Sequence, residues 1–124
     1  MQAKILIVDD EQYIRELYAH ILTAAGHIVE ESANGQDAFT KISGGDYNLI
    51  LLDIMIPALD GIQLLERLQK EGHGAKIKQI ILLTNLDEER TVAQGVSFGI
   101  RGYLVKSQNP PEKLTRKIAE LLAE

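Results

Sequence analysis

Three short stretches of this chain are apolar without interruption, at residues 5–8, 49–52 and 80–83. A strand with one wet face alternates apolar and polar residues. A run with no alternation belongs to a strand covered on both faces. Covering both faces requires helices on both sides of a mostly parallel sheet, and few other architectures accept such strands. The middle run is Asn48-Leu49-Ile50-Leu51-Leu52-Asp53-Ile54-Met55-Ile56-Pro57. It carries a single acid, Asp53, at its carboxyl end. In open α/β sheets, ligands gather outside the carboxyl ends of the strands.

The segments between the runs read as helices. Ile14, Leu17, Tyr18, Ile21 and Leu22 recur at one-face spacing, and Gly26 ends that helix. Ile28-Val29-Glu30-Glu31-Ser32-Ala33 is a more polar strand that fits a sheet edge. Asn34-Gly35 reads as a turn. Ala38, Phe39 and Ile42 mark a short helix closed by Gly44-Gly45. After the central strand, Ile62, Leu64, Leu65 and Leu68 form an apolar face that stops near Gly72, with Asp60 placed as N-cap. Gln79-Ile80-Ile81-Leu82-Leu83-Thr84 is a further buried strand. Asp87-Glu88-Glu89 then opens a helix, with acids where the dipole favours them, running to about Phe98. It contains Gly95 and few large apolar residues, so it is expected to be the most loosely held helix. Gly102-Tyr103-Leu104-Val105-Lys106 is a short last strand. Asn109-Pro110-Pro111-Glu112 reads as N-cap, Pro at N1 and Glu at N3 of a last helix lined by Leu114, Ile118, Leu121 and Leu122. Strands and helices alternate five times, which predicts a parallel sheet with helices on both faces and right-handed crossovers.

The 124 residues fit one domain over residues 1–124. The connections are short, and the chain stops about where the last helix ends, so no output domain is expected. There is no cysteine, which excludes disulfides, thiolate metal sites and cysteine nucleophiles. No apolar run approaches the length of a membrane span or a secretory leader. The expectation is a soluble, cytoplasmic chain. A net charge of −5 repels phosphate backbones and disfavours direct nucleic-acid binding.

Each strong strand ends in a functional group. The first delivers Asp9 and Asp10, the third Asp53, the fourth Thr84 and the fifth Lys106. If the first and third strands are neighbours, they lie about 4.8 Å apart and their acids crowd one site. Hard carboxylates with no His or Cys nearby favour Mg²⁺, with Mn²⁺ as a substitute. A metal, a hydroxyl and an ammonium together describe a phosphoryl-transfer site, with Asp53 as nucleophile. Taken singly, these residues have ordinary structural roles. Asp10 could cap the first helix, Asp53 could sit in a turn, and Thr84 or Lys106 could be purely structural. His20, His27 and His73 lack ligand spacing and read as surface residues.

Together these residues resemble the receiver domain of bacterial two-component response regulators. Ile5-Leu6-Ile7-Val8-Asp9-Asp10-Glu11 is similar to that family's first strand and acidic pair. Leu52-Asp53-Ile54-Met55-Ile56-Pro57-Ala58-Leu59-Asp60-Gly61 is similar to its phosphoacceptor loop. Leu83-Thr84 and Gly102-Tyr103-Leu104-Val105-Lys106 are similar to its switch hydroxyl, switch aromatic and lysine. The resemblance implies a flavodoxin-like fold with strand order 2-1-3-4-5. It implies that Asp53 takes a phosphoryl group from a sensor histidine kinase or phosphotransfer protein. Asp9, Asp10, Asp53 and the backbone carbonyl of Met55 would hold Mg²⁺, some through water. Thr84 would move toward the phosphoryl group and Tyr103 would turn inward, remodelling the face of the fourth helix, last strand and last helix. Ile100, Arg101, Tyr103 and the last helix are the candidate face for a downstream protein, as a monomer or a phosphorylation-linked dimer. The chain would then be a switch rather than an enzyme. Two residues break the family pattern. Asn85 stands where a small residue is usual and is expected to modulate phosphoryl lifetime. Ser107 stands where Pro often follows the lysine in a cis bond, which puts the placement of Lys106 in question. An aspartate-nucleophile phosphatase of the haloacid dehalogenase type is the alternative. It wants an acid two residues after the nucleophile, where this chain has Met55. A flavin or dinucleotide module would want a glycine-rich loop after the first strand, where this chain has Asp9-Asp10.

Overall fold

The computed structural model describes residues 2–85 and 88–123. In chain order the elements are β1 (Lys4–Val8), α1 (Gln12–Ala24), β2 (Ile28–Ser32), α2 (Gly35–Gly44), β3 (Leu49–Asp53), α3 (Gly61–Lys70), β4 (Ile80–Thr84), α4 (Glu89–Ser97), β5 (Gly102–Val105) and α5 (Pro111–Leu122). Two 3₁₀ turns, Gly74–Gln79 and Lys106–Gln108, precede β4 and α5. The five strands are all parallel, in the order β2-β1-β3-β4-β5. The runs predict a parallel sheet covered on both faces, and the resemblance implies this flavodoxin-like strand order. Every residue of β3 and β4 is buried, whereas the more polar β2 lies at an edge.

Period-two alternation splits the core into two layers. Leu6, Val8, Ile50, Leu52, Ile80 and Leu82 point to one side, where α2 and α3 supply Phe39, Ile42, Leu64 and Leu68. Ile5, Ile7, Leu49, Leu51, Ile81 and Leu83 point to the other, where α1 and α5 supply Tyr18, Leu22, Leu114 and Ile118. The α4 helix buries only Gly95 among its residues, as its composition predicts. A Cβ on Gly95 would overlap the Leu82 side chain, so the missing side chain lets this helix approach β4.

Several local expectations are corrected. Neither Asp9 nor Asp10 caps α1, because Glu11 occupies the N-cap position and makes no side-chain cap bond. Asn34 is the N-cap of α2, accepting the Asp37 amide, rather than a simple turn residue. Asn109 does not cap α5. Its amide donates to the Val105 carbonyl, Pro110 takes the N-cap position, and Glu112 falls at N2. Lys106 belongs to the 3₁₀ turn and not to β5. His27 is half-buried, and its Nδ1 accepts the Ala3 amide at 3.1 Å. Asp87, expected at the start of the fourth helix, lies outside the described residues. Asp60 caps α3 as expected, forming a reciprocal pair of bonds with Gln63.

The 3₁₀ turn before β4 had no signal in the hydrophobic pattern. It carries Lys76, whose Nζ donates to the carbonyls of Ile42, Ser43 and Gly45 at 2.9, 3.0 and 2.9 Å. One ammonium thus satisfies the orphan carbonyls at the end of α2.

Candidate functional site

Sheet register carries the acids to one place. Val8 pairs with Leu52, so the next residues, Asp9 and Asp53, leave the ends of adjacent strands side by side. Both continue the parity of Ile7 and Leu51, toward the α1 and α5 face. Lys106 continues the parity of Leu104 on β5 in the same direction. Its long side chain returns across the sheet end to donate to Asp9 Oδ2 at 3.0 Å and Asp53 Oδ2 at 2.9 Å. Asp9 is fully buried and Asp53 nearly so, while Asp10 is exposed. Oxygen atoms of all three carboxylates lie within 4.8 Å of one another.

The remaining bonds fix how the acids are held. Asp9 Oδ1 accepts the Glu11 amide at 2.9 Å, and Asp53 Oδ1 accepts the Met55 amide at 3.2 Å. The loop after β3 turns back on itself, with the Gly61 amide reaching the Ile54 carbonyl at 2.8 Å. Ala58 takes a positive φ of 71° within it. The loop also rests on the start of α2. The Gly35 amide donates to the Pro57 carbonyl, and a Cβ on Gly35 would overlap the Leu59 carbonyl. Gly35 was legible only as a turn residue, yet its missing side chain makes room for this loop.

Two carboxylates therefore share one ammonium in a buried setting. Burial pushes the Asp53 carboxyl up to about 6; Lys106 opposes the rise and the Asp9 charge adds to it. Burial also works against the Lys106 ammonium, but its bonds to Asp53 and Asp9 outweigh that effect and raise its pKa above the ordinary lysine value. The three groups carry a net negative charge that a cation would relieve.

The other expected residues stand differently. Thr84 is buried at the end of β4, with the parity of Leu82, and its hydroxyl donates to the Asn85 carbonyl at 3.0 Å. Tyr103 is half exposed and lines a groove of about 460 Å³ with Thr84, Glu88, Val92, Val96 and Val105. Asn85 is exposed at the rim of that groove. The peptide bond between Lys106 and Ser107 is trans, since the described chain contains no cis bond. Ser107 therefore does not displace Lys106, whose ammonium reaches both acids.

A match to the response regulator receiver domain family extends over residues 5–119. The chain belongs to that family. It is 37% identical over 115 residues to the transcriptional regulatory protein ResD of Bacillus subtilis, covering 93% of this chain and 46% of that protein. It is 35% identical over 118 residues to a gliding motility regulatory protein of Myxococcus xanthus, covering 95% of this chain and 15% of that protein. The receiver domain thus spans less than half the length of these relatives. Among solved structures, the chemotaxis response regulator CheY4 of Vibrio cholerae is 29% identical with a TM-score of 0.83, over 97% of this chain and 98% of that one. The response regulator TrrA of Thermotoga maritima, solved in complex with Mg²⁺ and BeF, is 35% identical with a TM-score of 0.76, over 98% and 99% of the two chains. The receiver domain is thus a component of two-component signal transduction. No described helix is long and apolar enough to cross a membrane.

Proposed function

We propose that Asp53 is the phosphoacceptor of this receiver domain and that its phosphodonor is a phosphohistidine on a sensor kinase or phosphotransfer protein. The observation that carries the reading is the Lys106 ammonium held between Asp9 Oδ2 and Asp53 Oδ2, with Asp10 beside them. A carboxylate oxygen of Asp53 attacks phosphorus, an O–P bond forms, and the N–P bond breaks with its electron pair leaving on the imidazole. Lys106 stays charged and pairs with the phosphoryl oxygens as a point charge. The Thr84 hydroxyl exchanges the Asn85 carbonyl for a phosphoryl oxygen, and Tyr103 moves into the groove that opens beside it.

The donor set fits a hard divalent cation. It comprises three carboxylates within 4.8 Å with no His or Cys among them. Asp9, Asp10, Asp53 and the Met55 carbonyl would hold Mg²⁺, which neutralises phosphoryl charge when bound; Mn²⁺ suits the same oxygens. The domain acts as a switch that promotes its own phosphorylation and dephosphorylation. Its downstream partner meets the face of α4, β5 and α5. Incubation with Mg²⁺ and a small phosphodonor, followed by intact mass, tests the reading. The expected result is one adduct of roughly 80 Da on the wild type and none on Asp53→Ala. No adduct on the wild type, or one that persists in Asp53→Ala, overturns it.

A further inference from the structure

Arg15 stands one turn into α1 and has no place in the site as described so far. Its side chain is only 14% exposed. Nη1 donates to the main-chain oxygen of Asp9 at 2.8 Å, and Nε donates to Glu31 Oε1 on β2 at 3.0 Å. The Asp9 oxygen belongs to the peptide unit that joins Asp9 to Asp10. That unit is planar, so fixing its oxygen fixes the Asp10 amide and Cα as well. The other end of Asp9 is also held, because its amide donates to the Ser32 carbonyl at 3.0 Å. With both flanking peptide units bonded, the backbone dihedrals of Asp9 are restrained. The Asp10 carboxylate is exposed, so its aim depends on that main chain.

We propose that Arg15 is a positioning residue for the acidic site: its guanidinium, anchored on Glu31, orients the Asp9–Asp10 peptide and so aims Asp10 at Asp53. This rests on the reading of the acids as a cation-binding, phosphoryl-accepting site. The planar fork matters, because the two bonds leave from different nitrogens toward different strands. A lysine ammonium carries its donors on one atom at the end of a flexible stem and so reproduces that geometry only in part.

Groups that orient a metal's ligands change its affinity by roughly 10–100-fold when removed. Calorimetric titration with Mg²⁺ alone reads this without any phosphoryl chemistry. Arg15→Met keeps the aliphatic stem and removes both donors, and its Mg²⁺ dissociation constant is expected to rise about tenfold. Arg15→Lys is expected to recover only part of that loss. Lys41→Met is the control for loosening the same edge. Lys41 holds the Glu31 carbonyl at 2.5 Å and pairs with Asp37. Its loss is expected to leave Mg²⁺ affinity within about twofold. A dissociation constant for Arg15→Met within twofold of wild type overturns the proposal while leaving the phosphoacceptor reading intact. An equal loss in Lys41→Met overturns it too, by reducing Arg15 to a general brace. If Arg15→Met does not fold, Glu31→Ala carries the test by removing the acceptor of the Nε bond: affinity is expected to fall about threefold, and no change overturns the proposal. Failure of the wild type to bind Mg²⁺ removes the phosphoacceptor reading itself.

Discussion

Removing the proposed phosphoacceptor should make this protein more stable. Asp53 is nearly buried and shares Lys106 with the fully buried Asp9. Its carboxyl titrates at about 6 instead of an ordinary 3.8, chiefly because burial penalises the ionised form. The gap corresponds to roughly 3 kcal/mol against the folded state at neutral pH. Residual solvent screening at the sheet end reduces this to about 2 kcal/mol. Replacing the carboxylate with the isosteric carboxamide, in Asp53→Asn, keeps the shape and removes the charge, leaving Lys106 and Asp9 as a one-to-one pair; with its oxygen toward Lys106, the amide gives up the long bond from the Met55 amide, at a cost of about 1 kcal/mol. Urea unfolding of Asp53→Asn in EDTA at pH 7.5 should therefore give a net stability gain of about 1 kcal/mol, or roughly 4 °C in Tm. The pH dependence has a definite sign. A raised carboxyl pKa adds stability below about pH 4 that is lost as pH rises through about 6. The advantage of the variant should thus be full at pH 7.5 and vanish near pH 4. Saturating Mg²⁺ should shrink it, because the cation binds the folded wild type. A variant no more stable than wild type at pH 7.5, or an advantage unchanged at pH 4, would refute the argument from uncompensated charge.

Three further outcomes follow from the geometry. Gly35→Ala drives a methyl into the Leu59 carbonyl, so it should cost at least about 2 kcal/mol by urea unfolding and slow phosphorylation by moving the loop after Asp53. Lys76→Met leaves the α2 carbonyls of Ile42, Ser43 and Gly45 without their donor, at a cost of roughly 2 kcal/mol. Its phosphorylation rate should be unchanged, since Lys76 lies at the opposite end of the sheet, and a slowed rate would contradict that separation. Asn85→Ala clears the rim beside Thr84 and should speed loss of the phosphoryl group several-fold in a mass-resolved decay, by up to roughly 1 kcal/mol of barrier. An unchanged decay would remove Asn85 as a modulator.

The fold was legible because its strands announce themselves. Uninterrupted runs such as 49–52 tolerate only a doubly covered sheet, and the polar composition of β2 marks the edge. That Asp9 and Asp53 stand at strand ends followed from the apolar runs; that their strands are neighbours came with the resemblance. The supports did not, because they are tertiary. Arg15 reads as an ordinary exposed helix residue until β2 brings Glu31 beside it. Lys76 sits in a 3₁₀ turn with no periodicity, and its three partners are main-chain atoms that no side-chain pattern encodes. Asn109 has the composition of an N-cap but spends its amide on the Val105 carbonyl, and Pro110 takes the cap position instead. Thr84 was correctly placed at a strand end, yet the direction of its hydroxyl depends on the Asn85 carbonyl, one residue along.

The light anchoring of α4 also limits how much free energy a signal must carry. A helix whose only buried residue is a glycine, with Val92 partly buried against the core, gives up less apolar contact when it shifts than the other helices would. Moving any two-state element from 1:99 to 99:1 takes roughly 5.5 kcal/mol of differential binding. A phosphoryl group that captures one hydroxyl and one ammonium in one state gains about 1.5–3 kcal/mol for each charged hydrogen bond. Two such bonds come close to that requirement only if the helix does not have to be torn from a core. Any side chain larger than that of Gly95 would meet Leu82 and push the helix off β4, so this glycine sets how closely the moving element can rest on the sheet.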